Sequence, residues 1–235
     1  MNPYVCHNET INRIITPINF LEEGALKAKE LSCPLDIDYY WQIDDDLINK
    51  IRNEPVIVDF SGVSAYPELS KFGVYELPEN IIEIRNIEQI YQLKQLRSLV
   101  IMDKKMAAID LAQLPQLEIL TCDPCDPKHI INIDKAHNLK AAKLWSYKGK
   151  DLTEFSKLEK LESLELMNPS IYSLKGIEHM RALKDITLLG TRKLEDVSLL
   201  EKSLDKLPNL TRVDLPKKFE AQMQAINERL RERLA

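Results

Sequence analysis

A chain of 235 residues that is 44% hydrophobic and 29% charged has enough apolar side chains for a continuous core and is too polar for a membrane protein. No apolar run approaches the roughly 20 residues of a spanning helix. The start, Met1 to Glu9, lacks the basic and apolar regions of a signal peptide, so the expectation is a cytoplasmic chain with no membrane partner. Four cysteines are too few for a disulfide scaffold, and reduced thiols are expected.

The net charge of −5 has an uneven distribution. Residues 1–50 hold four Lys or Arg against nine Asp or Glu, which accounts for the whole imbalance, and the rest of the chain is neutral. No basic surplus remains to neutralise phosphates, which is the main source of nucleic-acid affinity, so nucleic acid is not an expected partner. The same acidic segment carries Tyr39, Tyr40 and Trp41. Residues 44–53 read as a short helix, and Val56 to Phe60 as a buried strand. With no repeat visible in them, residues 1–71 are expected to form an acidic amino-terminal cap, one large enough to bear function.

From residue 72 the sequence becomes periodic. An opening unit can be drawn from Phe72, Tyr75 and Leu77 through Ile81, Ile84, Ile87, Ile90 and Leu93. After it, Leu96, Leu117, Leu139, Leu161, Leu183 and Leu210 follow at intervals of 21, 22, 22, 22 and 27 residues, each opening an L-x-x-L-x-L pattern or a close variant. A fixed period near 22 marks a solenoid, because one such unit cannot bury its apolar face alone. In the unit from Leu161 the apolar positions are Leu161, Leu164, Leu166, Ile171, Leu174, Ile177 and Met180. The alternation over Leu164 and Leu166 suits a short strand, and the later spacing of three suits a 3₁₀-like return. The last interval is longer by five residues, which predicts added helix before Leu210. Beyond Pro216, Phe219, Met223, Ile226, Leu230 and Leu234 form a helical stripe, read as a carboxy-terminal cap over residues 216–235.

These units resemble the leucine-rich repeat family, in the 22-residue type of bacterial internalins and eukaryotic phosphatase-regulatory proteins. The resemblance covers residues 72–215. Where the family has a turn asparagine, this chain has Cys125, Tyr147 and Pro169. The resemblance implies an α/β fold: a right-handed solenoid with a concave parallel β-sheet, an α/β cap before it, a capping helix after it, and a function of binding proteins rather than catalysis.

In such a strand, positions 1, 4 and 6 are buried, and positions 2, 3, 5 and 7 point outward. Position 7 reads Met102, Asp123, Trp145, Met167 and Leu189, with Lys143 and Glu165 at position 5 beside it. An apolar row in polar surroundings is the pattern of a protein interface, and Trp145 is its expected anchor. A second set of partner-binding candidates is acidic: Asp36, Asp38, Asp44, Asp45 and Asp46. Acidic charge steers association with a basic enzyme. The expected protein is therefore monomeric when free and non-enzymatic, binding one protein partner. A toxin-neutralising immunity protein fits the charge, and a regulatory or scaffold subunit fits the fold. The competing chemistry is a zinc or redox element at Cys122 and Cys125 with His129 nearby, although zinc wants four ligands. With six scattered glycines and no nucleotide loop, no cofactor or metal is assigned.

Overall fold

The computed structural model describes residues 5–10, 12–38 and 53–234, with Asn19 and Leu234 described by their backbone alone. The chain divides into two compact units, residues 1–109 and 110–235. No helix among the described residues is long and apolar enough to cross a membrane.

In the second unit the leucine pattern becomes a parallel sheet. The two-residue β8 (Ile109–Asp110) precedes that sheet in the chain and is not one of its strands. The sheet strands are β9 (Ile119–Cys122), β11 (Ala141–Trp145), β12 (Ser163–Met167), β13 (Asp185–Leu189) and β14 (Arg212–Asp214), with the short β10 (Ile130–Ile131) on the return side. Leu120, Ala142, Leu164, Ile186 and Val213 stand side by side in register, so position 4 of each coil meets position 4 of the next. The seven apolar positions of the Leu161 unit are all at most 2% exposed. Each coil returns through a 3₁₀ turn, at Leu111–Gln113, Ile133–Lys135, Phe155–Lys157, Ile177–His179 and Leu204–Lys206. The five extra residues of the last interval include the short helix α2 (Ser198–Lys202).

The position of the family's turn asparagine is filled by other residues. Cys125, Tyr147, Pro169 and Thr191 are buried there. Backbone bonds from coil to coil meet the hydrogen-bonding need: Cys125 N–H donates to the Trp145 carbonyl at 2.7 Å, Ser146 N–H to Met167 at 2.8 Å, and Asn168 N–H to Leu189 at 2.7 Å. The bend at the strand end falls on Ser146, Asn168 and Gly190, all left-handed, with φ of 59°, 51° and 67°.

The capping helix α3 (Glu220–Leu234) lies against β14, burying Ile226 and Leu230. Asn227 closes the sheet edge by accepting from Val213 N–H at 3.1 Å and donating to the Val213 carbonyl at 2.8 Å. The guanidinium of Arg233 donates to the carbonyls of Leu204 and Leu207, at 3.1 and 3.0 Å, and to that of Leu210. An edge that would template further strands is thereby occupied by side chains.

The first unit holds the parallel order β2 (Arg13–Thr16), β3 (Leu35–Asp38), β5 (Lys71–Glu76) and β7 (Ser98–Ile101), with β1 (Cys6–Asn8) antiparallel on β2. Three strands of the sheet, β1, β2 and β3, thus precede residue 72, where the periodic pattern of the sequence begins. Helix α1 (Leu21–Glu30) is the return from β2 to β3, with Leu21, Ala25 and Ala28 buried. The strand expected over Val56 to Phe60 is β4 (Val56–Asp59), which pairs in parallel with β6 (Ile81–Arg85). Val58 and Phe60 are buried while Ile57 faces outward. The short helix expected at 44–53 falls almost entirely outside the described residues.

One register needs correction. Phe72 and Val74 stand opposite Leu99 and Ile101, so the opening unit is Leu69-x-x-Phe72-x-Val74, and Tyr75 is not a core position. The register with β3 shifts there, from Ile37 opposite Val74 to Asp38 opposite Glu76. Tyr75 is the additional residue, turned to the other face of the sheet.

Candidate functional site

Strands of four or five residues alternate inward and outward, and this alternation builds the outward face of the second unit. Trp145, Met167 and Leu189 are direct neighbours on β11, β12 and β13, and all three are partly exposed. At the usual strand spacing they form an apolar ribbon roughly 10 Å from first strand to third. Ile119, 45% exposed at position 3 of its repeat and the first residue of β9, adds a fourth apolar side chain to this face. The sequence holds its signal, an isoleucine where a polar residue is the rule, but a reading of position 7 alone passes over it.

The lysines on this face are paired with carboxylates within it. Lys143 Nζ stands 3.0 Å from Glu165 Oε1 and 5.0 Å from the centre of the Trp145 ring, holding the indole by a cation–π contact. Lys140 pairs with Glu118 at 2.8 Å, and Lys184 with Glu162 at 2.7 Å. Ser163 Oγ–H donates to Asp185 at 2.6 Å. Exposed pairs of this kind add on the order of 0–1 kcal/mol of stability each. Their consequence here is that the apolar ribbon lies beside lysines whose charge is already paired.

Met102 is partly exposed at the end of β7 in the first unit. The acidic candidates fare differently from one another. Asp36 is on the outward face of β3, yet its side chain is only 3% exposed and is tied to Arg13, whose Nη1 donates to Oδ2 at 2.8 Å. Arg13 also donates to the Tyr75 hydroxyl at 2.5 Å. Asp36 Oδ1 has no hydrogen-bond partner among the described residues. It sits over Gly73, where a Cβ would come within 2.5 Å of it, so the carboxylate fits only because residue 73 has no side chain. Burial pushes the Asp36 carboxyl above its ordinary range, and Arg13 pulls it back only in part. Ile15, Asp36, Gly73 and Val100 form one buried row in register across this outward face. Asp36 is therefore an internal ion-pair partner and not a charge offered to a visitor, a correction to its place among the binding residues. Asp38 is half-buried on the same strand. Asp44, Asp45 and Asp46 lie outside the described residues, as do Tyr39, Tyr40 and Trp41.

Cys122 and Cys125 are both buried free thiols. His129 is buried, with Nδ1 2.8 Å from Asp126 Oδ1. No group of three or more His, Cys, Asp or Glu that could hold a metal occurs among the described residues. A cleft of about 310 Å³ opens beside Cys125, lined also by Asp126, Ile131, Tyr147, Lys148 and Glu154. Tyr147 donates its hydroxyl to Glu154 at 2.7 Å, and burial followed by that carboxylate pushes the phenol far up, so it stays neutral.

No protein-family model matches the sequence, and no curated protein is significantly similar to it. Solved structures do match. Internalin C2 from Listeria monocytogenes is 21% identical, with 70% of this chain and 78% of that chain covered at a TM-score of 0.49. The internalin inlF from the same organism is 19% identical, with 77% and 53% covered, also at 0.49. TLR13 in a complex with ssRNA13 is 20% identical, with 83% of this chain and 26% of that chain covered at a TM-score of 0.53. This chain therefore spans about half of one internalin and about a quarter of TLR13.

Proposed function

We infer from the leucine-rich repeat fold of this chain that it is a non-enzymatic protein-binding module, recognising one protein partner through the outward sheet face of its second unit. The observation that carries the reading is the row Trp145–Met167–Leu189, apolar and partly exposed on adjacent strands. Large apolar and aromatic side chains grouped in polar surroundings are what anchors an interface. Trp145 is the anchor, Met167 and Leu189 extend the apolar floor, and Lys143 with Glu165 form the rim. RNA, bound by TLR13 in its complex, is disfavoured for this face because its lysines already have carboxylate partners.

The test is capture from an extract of the native host with wild-type protein and Trp145→Ala side by side, followed by titration of the captured protein. A hot spot worth about 2 kcal/mol raises Kd about 30-fold on truncation. A Trp145→Ala chain that keeps the wild-type circular dichroism and the wild-type Kd removes the reading. Salt separates the finer roles. Binding through the charge-matched row is nearly constant between low and high salt. Neutralisation of a basic toxin through the acidic segment weakens steeply as salt rises.

A further inference from the structure

Two thiols remain that the binding face does not use. Cys122 ends β9 with its side chain in the core, and Cys125 follows in the turn. They are more than two separate small core residues. Cys122 Sγ–H donates to the Pro124 carbonyl at 3.3 Å, which holds its sulfur against the residue that directly precedes Cys125. The pair is too small a ligand set for zinc, and no third metal ligand joins it among the described residues. Unlike Cys122, Cys125 forms part of the wall of the 310 Å³ cleft, which gives a small reagent a way in.

We propose that Cys122 and Cys125 are a reversible dithiol–disulfide site, oxidised by a low-molecular-weight disulfide that enters the cleft beside Tyr147. The Cys125 thiolate attacks one sulfur of the reagent, and one thiolate leaves. The leaving thiolate takes the proton of Cys122, whose sulfur then attacks the Cys125 sulfur and expels a second thiolate, which takes up the proton that Cys125 released in forming its own thiolate. Two protein thiols are oxidised to one disulfide, and one small disulfide is reduced to two thiols. The hydrogen bond with Cys125, and then burial, push the Cys122 thiol up. Cys122 is fully buried while Cys125 lines the cleft, so the mixed disulfide forms at Cys125 and is the intermediate between the two steps. Cys125 N–H donates to the Trp145 carbonyl at 2.7 Å, which places the oxidised turn directly against the strand that carries the aromatic anchor.

Reduced full-length protein is incubated in its native state with glutathione disulfide, quenched in acid, unfolded, alkylated with N-ethylmaleimide and mapped after trypsin digestion. The peptide of residues 106–128 contains both cysteines. The expected result is loss of both of its alkyl groups with a mass lower by two hydrogens, preceded by a transient glutathionyl adduct. Cys6 and Cys33, on other peptides, serve as comparators. Cys122→Ser stops at the Cys125 adduct, and Cys125→Ser yields no adduct in this peptide. A peptide that keeps both alkyl groups, or one that ends as a stable glutathionyl adduct in the wild type, overturns the proposal. Should Cys122→Ser fail to fold, the wild-type map decides by itself.

Discussion

Replacing Arg13 by Met removes the cation that compensates Asp36. The pair is 2.8 Å long, with the carboxylate 3% exposed and the arginine side chain 30% exposed. Stripping one partner from a buried pair costs about 3–5 kcal/mol, because the other charge stays desolvated. Water already reaches Arg13, so the lower end, about 3 kcal/mol, is the expected loss at pH 7. In an Asp36→Asn background the same Arg13→Met change removes only neutral hydrogen bonds and packing, about 1 kcal/mol. The coupling between the two positions is then about 2 kcal/mol. The pH dependence has a fixed sign. Asp36 has a folded-state pKa above its ordinary value, so the native state binds its proton more readily than the unfolded chain does. Its contribution falls as pH rises through the window from the ordinary carboxylate value to the raised one. Arg13→Met widens that window upward, so the variant's deficit shrinks on acidification from pH 7 towards pH 5. Urea unfolding midpoints of the wild type, both single variants and the double variant at the two pH values supply the cycle. Equal losses for Arg13→Met with and without Asp36→Asn, or a deficit that does not change with pH, refute the idea that an uncompensated carboxylate is what the arginine prevents.

Three further outcomes test the coils. Leu164→Ala, fully buried between Ala142 and Ile186, is expected to cost about 2–5 kcal/mol in urea unfolding, and a loss under about 1 kcal/mol would deny that position 4 is core. Gly190→Ala places a side chain at φ 67° and against the Asn168 amide, for a loss of about 1–2 kcal/mol by the same measurement; wild-type stability would mean the strand-end bend is not obligatory. Arg233→Ala leaves three carbonyls of the last coil without their charged donor, and a fall in Tm of roughly 4–8 °C is expected by calorimetry, with an unchanged Tm showing that water replaces it without loss.

The sequence alone determined the period, the inward positions, the 3₁₀ returns and the capping helix, because each follows from side-chain alternation within one or two dozen residues. Where the spacing between coils lengthens, that local signal disappears. Leu35 and Phe72 stand side by side in the sheet although 37 residues separate them, and Ile14 and Leu35 are joined through α1 rather than a leucine-marked turn. The early parallel strands β2 and β3 are therefore invisible to a pattern built on equal intervals. That pattern also puts Tyr75 in the core, because the bulge that turns it outward is a property of pairing with β3. The candidate surface was half legible. Alternation names Trp145, Met167 and Leu189 as outward, and they are. Charge names Asp36 as a surface group too, and it is the folded sheet that buries it against Arg13 and Gly73 while Trp145 keeps access to solvent. Orientation within a strand is set by neighbours one and two residues away. Exposure is set by what lies across the sheet, and no local pattern of residues carries that information.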